Sequence, residues 1–160
     1  MKKIGILTCS NTTQDLGCSS FKCLEELHKN EGKFKRYNNS GGAQLAGIIN
    51  CAGCPTAVAP AKLLSRVKSL SAIGVDAIHL SGCMMALCPF KNKYIKLLGE
   101  NFPEIEIIQG THEAPDGGPE WFLAWAKQTL SALQNPMAEL TKQVLSNQVV
   151  SYQNGENKPN

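Results

Sequence analysis

Cys51 and Cys54 stand two residues apart in the stretch I-N-C-A-G-C-P, residues 49–55. A C-x-x-C turn brings two sulfurs within reach of one metal ion or of each other. Gly53 permits a tight bend whose amides can point at thiolate sulfurs, and Pro55 pre-sets a turn or a helix start. A helix N-terminus nearby lowers a thiol pKa. Three readings follow: metal ligation, dithiol exchange, or two small hydrophobes filling space. This pair alone does not choose among them.

The chain has seven cysteines in 160 residues, an odd number that precludes complete internal pairing. After Met1-Lys2-Lys3 the apolar stretch is only residues 4–7, too short for a secretory signal core. No apolar run approaches the ~18 residues of a membrane span. The expectation is a cytoplasmic protein with no membrane partner. In a reducing compartment a cysteine-rich chain binds metal or does redox chemistry more often than it builds a disulfide scaffold. Net charge is +3, and the densest basic run, Lys33-Phe34-Lys35-Arg36-Tyr37, reads as a solvated loop past a helix end. No nucleic-acid partner is expected.

The elements that position these thiols follow from periodicity. Four short segments rich in β-branched residues, 3–9, 45–51, 76–81 and 105–109, alternate with stretches of helical period. A first helix is expected over about 18–29, with Phe21, Leu24, Leu27 and His28 at three- and four-residue spacing, and Glu31-Gly32 ends it. A second takes Pro60 in its first turn, lines up Leu63, Leu64, Val67, Leu70 and Ile73, and stops at Gly74. A third begins near Pro89 and uses Tyr94, Ile95 and Leu98. A fourth follows Gly117-Gly118-Pro119, with Trp121, Phe122, Trp125 and Leu133 read as core. An amphipathic piece at 137–145 and a polar, disordered tail at 151–160 complete a single domain over 1–150. The alternation implies a three-layer α/β/α fold with a mostly parallel sheet of four or five strands, flavodoxin-like or Rossmann-like.

In open sheets of this kind ligands bind beyond the carboxyl ends of the strands. Cys9 ends the first predicted strand, Cys51 the second with Cys54 in the following turn, and Cys83 lies just past the third. His112 follows the fourth by three residues. Cysteines that merely filled a core would not gather at one edge, so Cys9, Cys51, Cys54 and Cys83 are the expected ligands. Cys88, five residues after Cys83, is a further sulfur, an alternate ligand or a resolving thiol. His112 is a ligand or proton-donor candidate. His79, between Ile78 and Leu80, reads as a hydrogen-bonded core histidine or one that orients a ligand. Cys23 reads as packing, Cys18 stays open, and His28 as surface.

These residues resemble a known family. Cys51-Ala52-Gly53-Cys54, with alanine where the family has glycine, is similar to the signature of the CGGC-domain family. The similarity extends over about residues 3–114 and takes in the strand ending at Cys9, His79-Leu80-Ser81-Gly82-Cys83, Cys88-Pro89 and Gly110-Thr111-His112. The family is described as metal-binding from its cysteines and histidines. The resemblance therefore implies a metal site and names no reaction.

Other enzyme classes are disfavoured. A phosphatase nucleophile at Cys9 requires C-x5-R, but Asp15 stands six residues on and would repel an anion. Ser10-Asn11-Thr12-Thr13 lacks the glycine that lets amides close on a flavin phosphate. There is no P-loop, dinucleotide fingerprint or H-E-x-x-H. The sequence therefore reads as a metal-binding protein holding a zinc ion or, alternatively, an iron–sulfur cluster. Its partners are the ion and, under a redox role, a redox partner protein. The alternative from another class is a metal-free thiol–disulfide oxidoreductase using Cys51 and Cys54.

Overall fold

Lys2–Thr8 forms the strand β1, and every residue from Ile4 to Thr8 is buried. Such a run, apolar on successive residues, suits a strand covered on both faces at the centre of a parallel sheet. The computed structural model describes residues 1–15 and 17–112. In it β1 lies between β2 (Ala43–Asn50) and β3 (Ala77–Leu80), and β4 (Glu106–Gln109) pairs with β3. All pairs are parallel, and the order is β2-β1-β3-β4. The expected parallel sheet thus has four strands among the described residues, in the order of flavodoxin-like sheets.

Helices cover both faces. On one side α3 (Ala61–Ile73) and α5 (Lys91–Asn101) pack Leu63, Val67, Leu70, Tyr94 and Leu98 against Leu7, Ile78 and Leu80. The α3 contacts recur at four- and three-residue spacing, the stripe of a helix with one buried face. Burying each of those leucines contributes about 1.5–3 kcal/mol. Leu70 closes down on two glycines: a Cβ on Gly5 would come within 2.6 Å of its Cδ1, and one on Gly47 within 3.1 Å of its Cδ2. Gly74, at φ 77°, stops the helix as expected. On the other face α2 (Phe21–Lys29) and a 3₁₀ helix (Gly32–Ser40) place Cys23, Phe34 and Tyr37 against Ile4, Ile6, Ala77 and Ile108. This gives the three layers.

Several boundaries differ from expectation. The helix expected from about residue 18 starts at Phe21, because Ser20 before it adopts φ 60°, in the left-handed region. The basic run 33–37 is not a solvated loop. It belongs to the 3₁₀ helix, whose three-residue turn sends Phe34 and Tyr37 into the core and leaves Lys33, Lys35 and Arg36 exposed. Two short helices, α1 (Ser10–Gln14) and α4 (Gly82–Leu87), follow β1 and β3 directly. Five or six residues are too few for helical periodicity to register in sequence. The helix expected after Gly117-Gly118-Pro119, the segment 137–145 and the tail 151–160 lie outside the described residues. Among the described residues no helix is long and apolar enough to cross a membrane.

Candidate functional site

Thr8 and Asn50 are the last register partners of β1 and β2, so Cys9 and Cys51 are the next residues on two adjacent parallel strands. The strand ends are fastened together: the Cys51 N–H donates to the Thr8 carbonyl at 3.0 Å, and the Thr8 hydroxyl donates to the Ile49 carbonyl at 3.1 Å. The Cys9 and Cys51 thiols meet there in a hydrogen bond. Backbone amides converge on both sulfurs, from Asn11 and Thr12 onto Cys9 and from Ser10 and Gly53 onto Cys51. The Ser10 contact is 3.4 Å. The pair titrates as one unit. The bond from Cys9 holds Cys51 below the ordinary thiol range, while the same bond and burial hold Cys9 above it. Cys51 is 5% exposed and Cys9 half-buried.

The loop after Cys51 is built to hold its shape. Ala52 sits at φ 62° and Gly53 at φ 95°. The first is a left-handed position at which glycine is the unstrained residue, which accounts for the glycine the family places there. The Ala52 N–H donates to the Asn50 side-chain oxygen at 3.0 Å. Arg66, from α3, donates to both the carbonyl and the side-chain oxygen of Asn50. Thr56, buried in the 3₁₀ turn Cys54–Ala57, offers its hydroxyl to the carbonyls of Cys51 and Gly53 at 2.9 and 2.7 Å. Tyr94 supplies the other side of that hydroxyl at 2.9 Å. Cys54 is exposed, with the Asn11 amide 3.6 Å from its sulfur. Cys88, half-buried past the end of α4, stands close enough to sense charge on Cys9, Cys51 and Cys54. Burial raises its pKa.

Cys83 and His112 have different surroundings. The buried Cys83 sulfur lies 2.9 Å from the Ser81 hydroxyl and 3.2 Å from that of Thr12. Thr12 also donates to the Cys9 carbonyl at 3.0 Å, so it stands between the two thiol groups. Cys83 and Cys18 both act electrostatically on Cys23, whose pKa burial pushes up to about 11. Cys23 bonds Thr111 at 3.2 Å, and Thr111 accepts from the Gly82 N–H at 3.1 Å. The His112 ring lies against Gly82, where a Cβ would come within 2.6 Å of it. Cys23 is thus packed as expected, and His28 is exposed as expected. His79 is the expected core histidine, fully buried between Tyr37 and the Gly110 carbonyl.

The fold therefore brings Cys9, Cys51, Cys54 and Cys88 together at the carboxyl edge and sets Cys83 and His112 beyond Thr12, beside Cys23. Cys9 and Cys51 are hydrogen-bonded to each other across the strand ends. Among the described residues no three His, Cys, Asp or Glu side chains are already arranged to hold a metal ion. The donor chemistry suits one nonetheless: two adjacent sulfurs, surrounded by amide donors that favour negative charge, are soft ligands. Sequence reasoning missed Thr12, Thr56, Tyr94 and Thr111, which hold the cysteines in place. For Thr12 the signal was the polar run Ser10-Asn11-Thr12-Thr13 following a strand; Tyr94 read as a helix-face residue and Thr111 as part of the family resemblance, neither with a site role.

Fold and site together define a parallel α/β protein with thiols gathered at the carboxyl edge of its sheet. A family model, the CGGC domain, matches residues 3–112. The chain belongs to the CGGC-domain family. Searches of curated proteins and of solved structures gave no match.

Proposed function

We propose that this protein binds a soft metal ion through thiolates at the carboxyl edge of its sheet. Cys9 and Cys51 are the first ligands, and Cys54 and Cys88 complete the set. The observation that carries this reading is that Cys9 and Cys51 stand side by side at the level ends of β1 and β2, fastened by the Cys51 N–H to Thr8 carbonyl bond, so that two thiols would give up their protons to one ion. Zinc is the first expectation and an iron–sulfur cluster the alternative. Zinc bound by four sulfurs would brace the strand ends, whereas a cluster would supply electron transfer. The amides of Ser10, Asn11, Thr12 and Gly53 offset charge on the two central sulfurs. Thr56 and Tyr94 keep the Cys51–Cys54 loop in place. A reducing, cytoplasmic setting suits these free thiols. A metal-free exchange pair of Cys51 and Cys54 is less favoured, because Cys51 is buried and bonded to Cys9 while Cys54 is exposed beside Asn11.

The test is metal analysis of anaerobically purified protein, with X-ray absorption to count sulfur neighbours. Cys9→Ser and Cys51→Ser should lose most of the bound metal, and Cys23→Ser should keep it. Cys83→Ser and His112→Ala read whether those two residues share the ion. Equal metal content in wild type and Cys51→Ser would sink the proposal.

A further inference from the structure

Adjacent parallel strands run about 4.8 Å apart, and a disulfide spans Cα separations of about 4.4–6.8 Å. Cys9 and Cys51 lie one residue past the last register pair of neighbouring strands, with the Cys51 N–H bonded to the Thr8 carbonyl at 3.0 Å and the Ser10 N–H 3.4 Å from the Cys51 sulfur. That strand spacing falls within the span a disulfide bridges. The C-x-x-C partner is placed less well. Between Cys51 and Cys54 lie two residues at positive φ, and the Cys54 side chain is exposed beside Asn11 while Cys51 is buried.

We propose that Cys9 and Cys51, rather than Cys51 and Cys54, form a reversible dithiol–disulfide couple whose oxidant is a small hydroperoxide. The inference shares two cysteines with the metal reading but does not require a bound ion. With Cys51 only 5% exposed, an oxidant of a few atoms has access that a protein disulfide lacks. In the first step the Cys51 sulfur attacks the nearer peroxide oxygen and the O–O bond breaks. Cys51 becomes a sulfenic acid, and the departing oxygen leaves as an alcohol or water, taking a proton. In the second step the Cys9 sulfur attacks Cys51 Sγ, the S–O bond breaks, and water leaves with the Cys9 proton. Two thiols and one hydroperoxide thus give one disulfide, one alcohol and one water, with two electrons passing from sulfur to oxygen. A small thiol reductant reverses the change by exchange. Oxidation withdraws both central sulfurs, so under the metal reading it also releases the ion.

The experiment treats full-length, metal-stripped protein with an equimolar amount of hydrogen peroxide and maps linkages by mass spectrometry of unreduced peptides. A Cys9–Cys51 linkage is expected, with loss of two of the seven free thiols and recovery on adding dithiothreitol. The linkage should persist in Cys54→Ser, an exposed position whose substitution spares the core. A Cys51–Cys54 linkage, a sulfinic Cys51 without any linkage, or an unchanged thiol count would each overturn the inference. Metal content measured on untreated protein keeps the two readings separable. Failed linkage with metal bound removes the redox inference alone, and linkage in a protein that binds no metal removes the metal reading alone.

Discussion

His79 predicts an acid sensitivity that can be worked out from its surroundings. Its ring is fully buried, 4.5 Å between centroids from Phe34, with Nδ1 2.9 Å from the Gly110 carbonyl and Nε2 2.8 Å from the Tyr37 hydroxyl. A carbonyl only accepts, so Nδ1 carries the proton and Nε2 accepts from Tyr37. Burial pushes the pKa down to about 4 from 6.5; the Gly110 bond opposes this, and Arg36 and Glu106 act weakly in opposite directions. The sign follows from the unfolded chain, where the histidine takes up its proton near 6.5, above the folded value. The neutral ring's contribution is therefore complete above the unfolded pKa and is lost as pH falls through the folded one. The full loss is about 3 kcal/mol, of which about 2 kcal/mol is gone by about pH 5. Urea unfolding of wild type and His79→Gln at about pH 7.5 and about pH 5 isolates this contribution, because the carboxylates titrate in both proteins. Wild type should lose about 2 kcal/mol more than the variant over that interval. Equal losses, or an NMR titration of the His79 ring with the midpoint of an ordinary histidine, would refute the reasoning.

Two further predictions concern the loop that carries the C-x-x-C pair. Ala52→Gly relieves the left-handed strain at φ 62° and should raise stability by about 1 kcal/mol, read from the denaturant midpoint at unchanged slope; a drop in midpoint would contradict it. Thr56→Val leaves the Cys51 carbonyl and the Tyr94 hydroxyl without their buried partner, while the Gly53 carbonyl keeps the residue-56 N–H, and should cost about 2 kcal/mol. Adding Tyr94→Phe to that variant should cost less than Tyr94→Phe alone, and strict additivity would show that the two hydroxyls are not coupled.

The sheet was legible because its physics is local. β1 and β3 are apolar runs buried on both faces, and α3 repeats its leucines at helical spacing up to a glycine stop. What was not legible depends on a third dimension that spacing does not encode. The 3₁₀ helix hides Phe34 and Tyr37 inside a stretch that looks basic and solvated, because a three-residue turn buries one residue in three while the lysines between them stay outside. Placing the cysteines at strand ends was enough to predict one edge, but an edge has width. Sequence position put Cys83 as near to Cys9 as Cys51 is. Only the register, with β2 beside β1 and their ends level at Thr8 and Asn50, makes Cys51 the residue that Cys9 touches.

That register also bears on what a four-residue signature means. C-x-x-C draws attention to Cys51 and Cys54 as a pair, yet the loop between them spends its unusual backbone angles on something else. With Ala52 and Gly53 at positive φ, the Gly53 amide points back at the Cys51 sulfur, and Cys54 is carried outward into the next turn. The small residues of the signature thus serve the first cysteine by surrounding it with donors. The partner that meets that cysteine comes from another strand, 42 positions earlier in the chain. For either chemistry proposed here, ligation or oxidation, Cys9 is consequently the residue whose loss should resemble the loss of Cys51 most closely. Cys54→Ser should be the milder change in both assays. If Cys54→Ser abolished metal binding and peroxide-driven linkage while Cys9→Ser left both intact, the signature would be the functional pair after all and the strand-end contact an incidental neighbour.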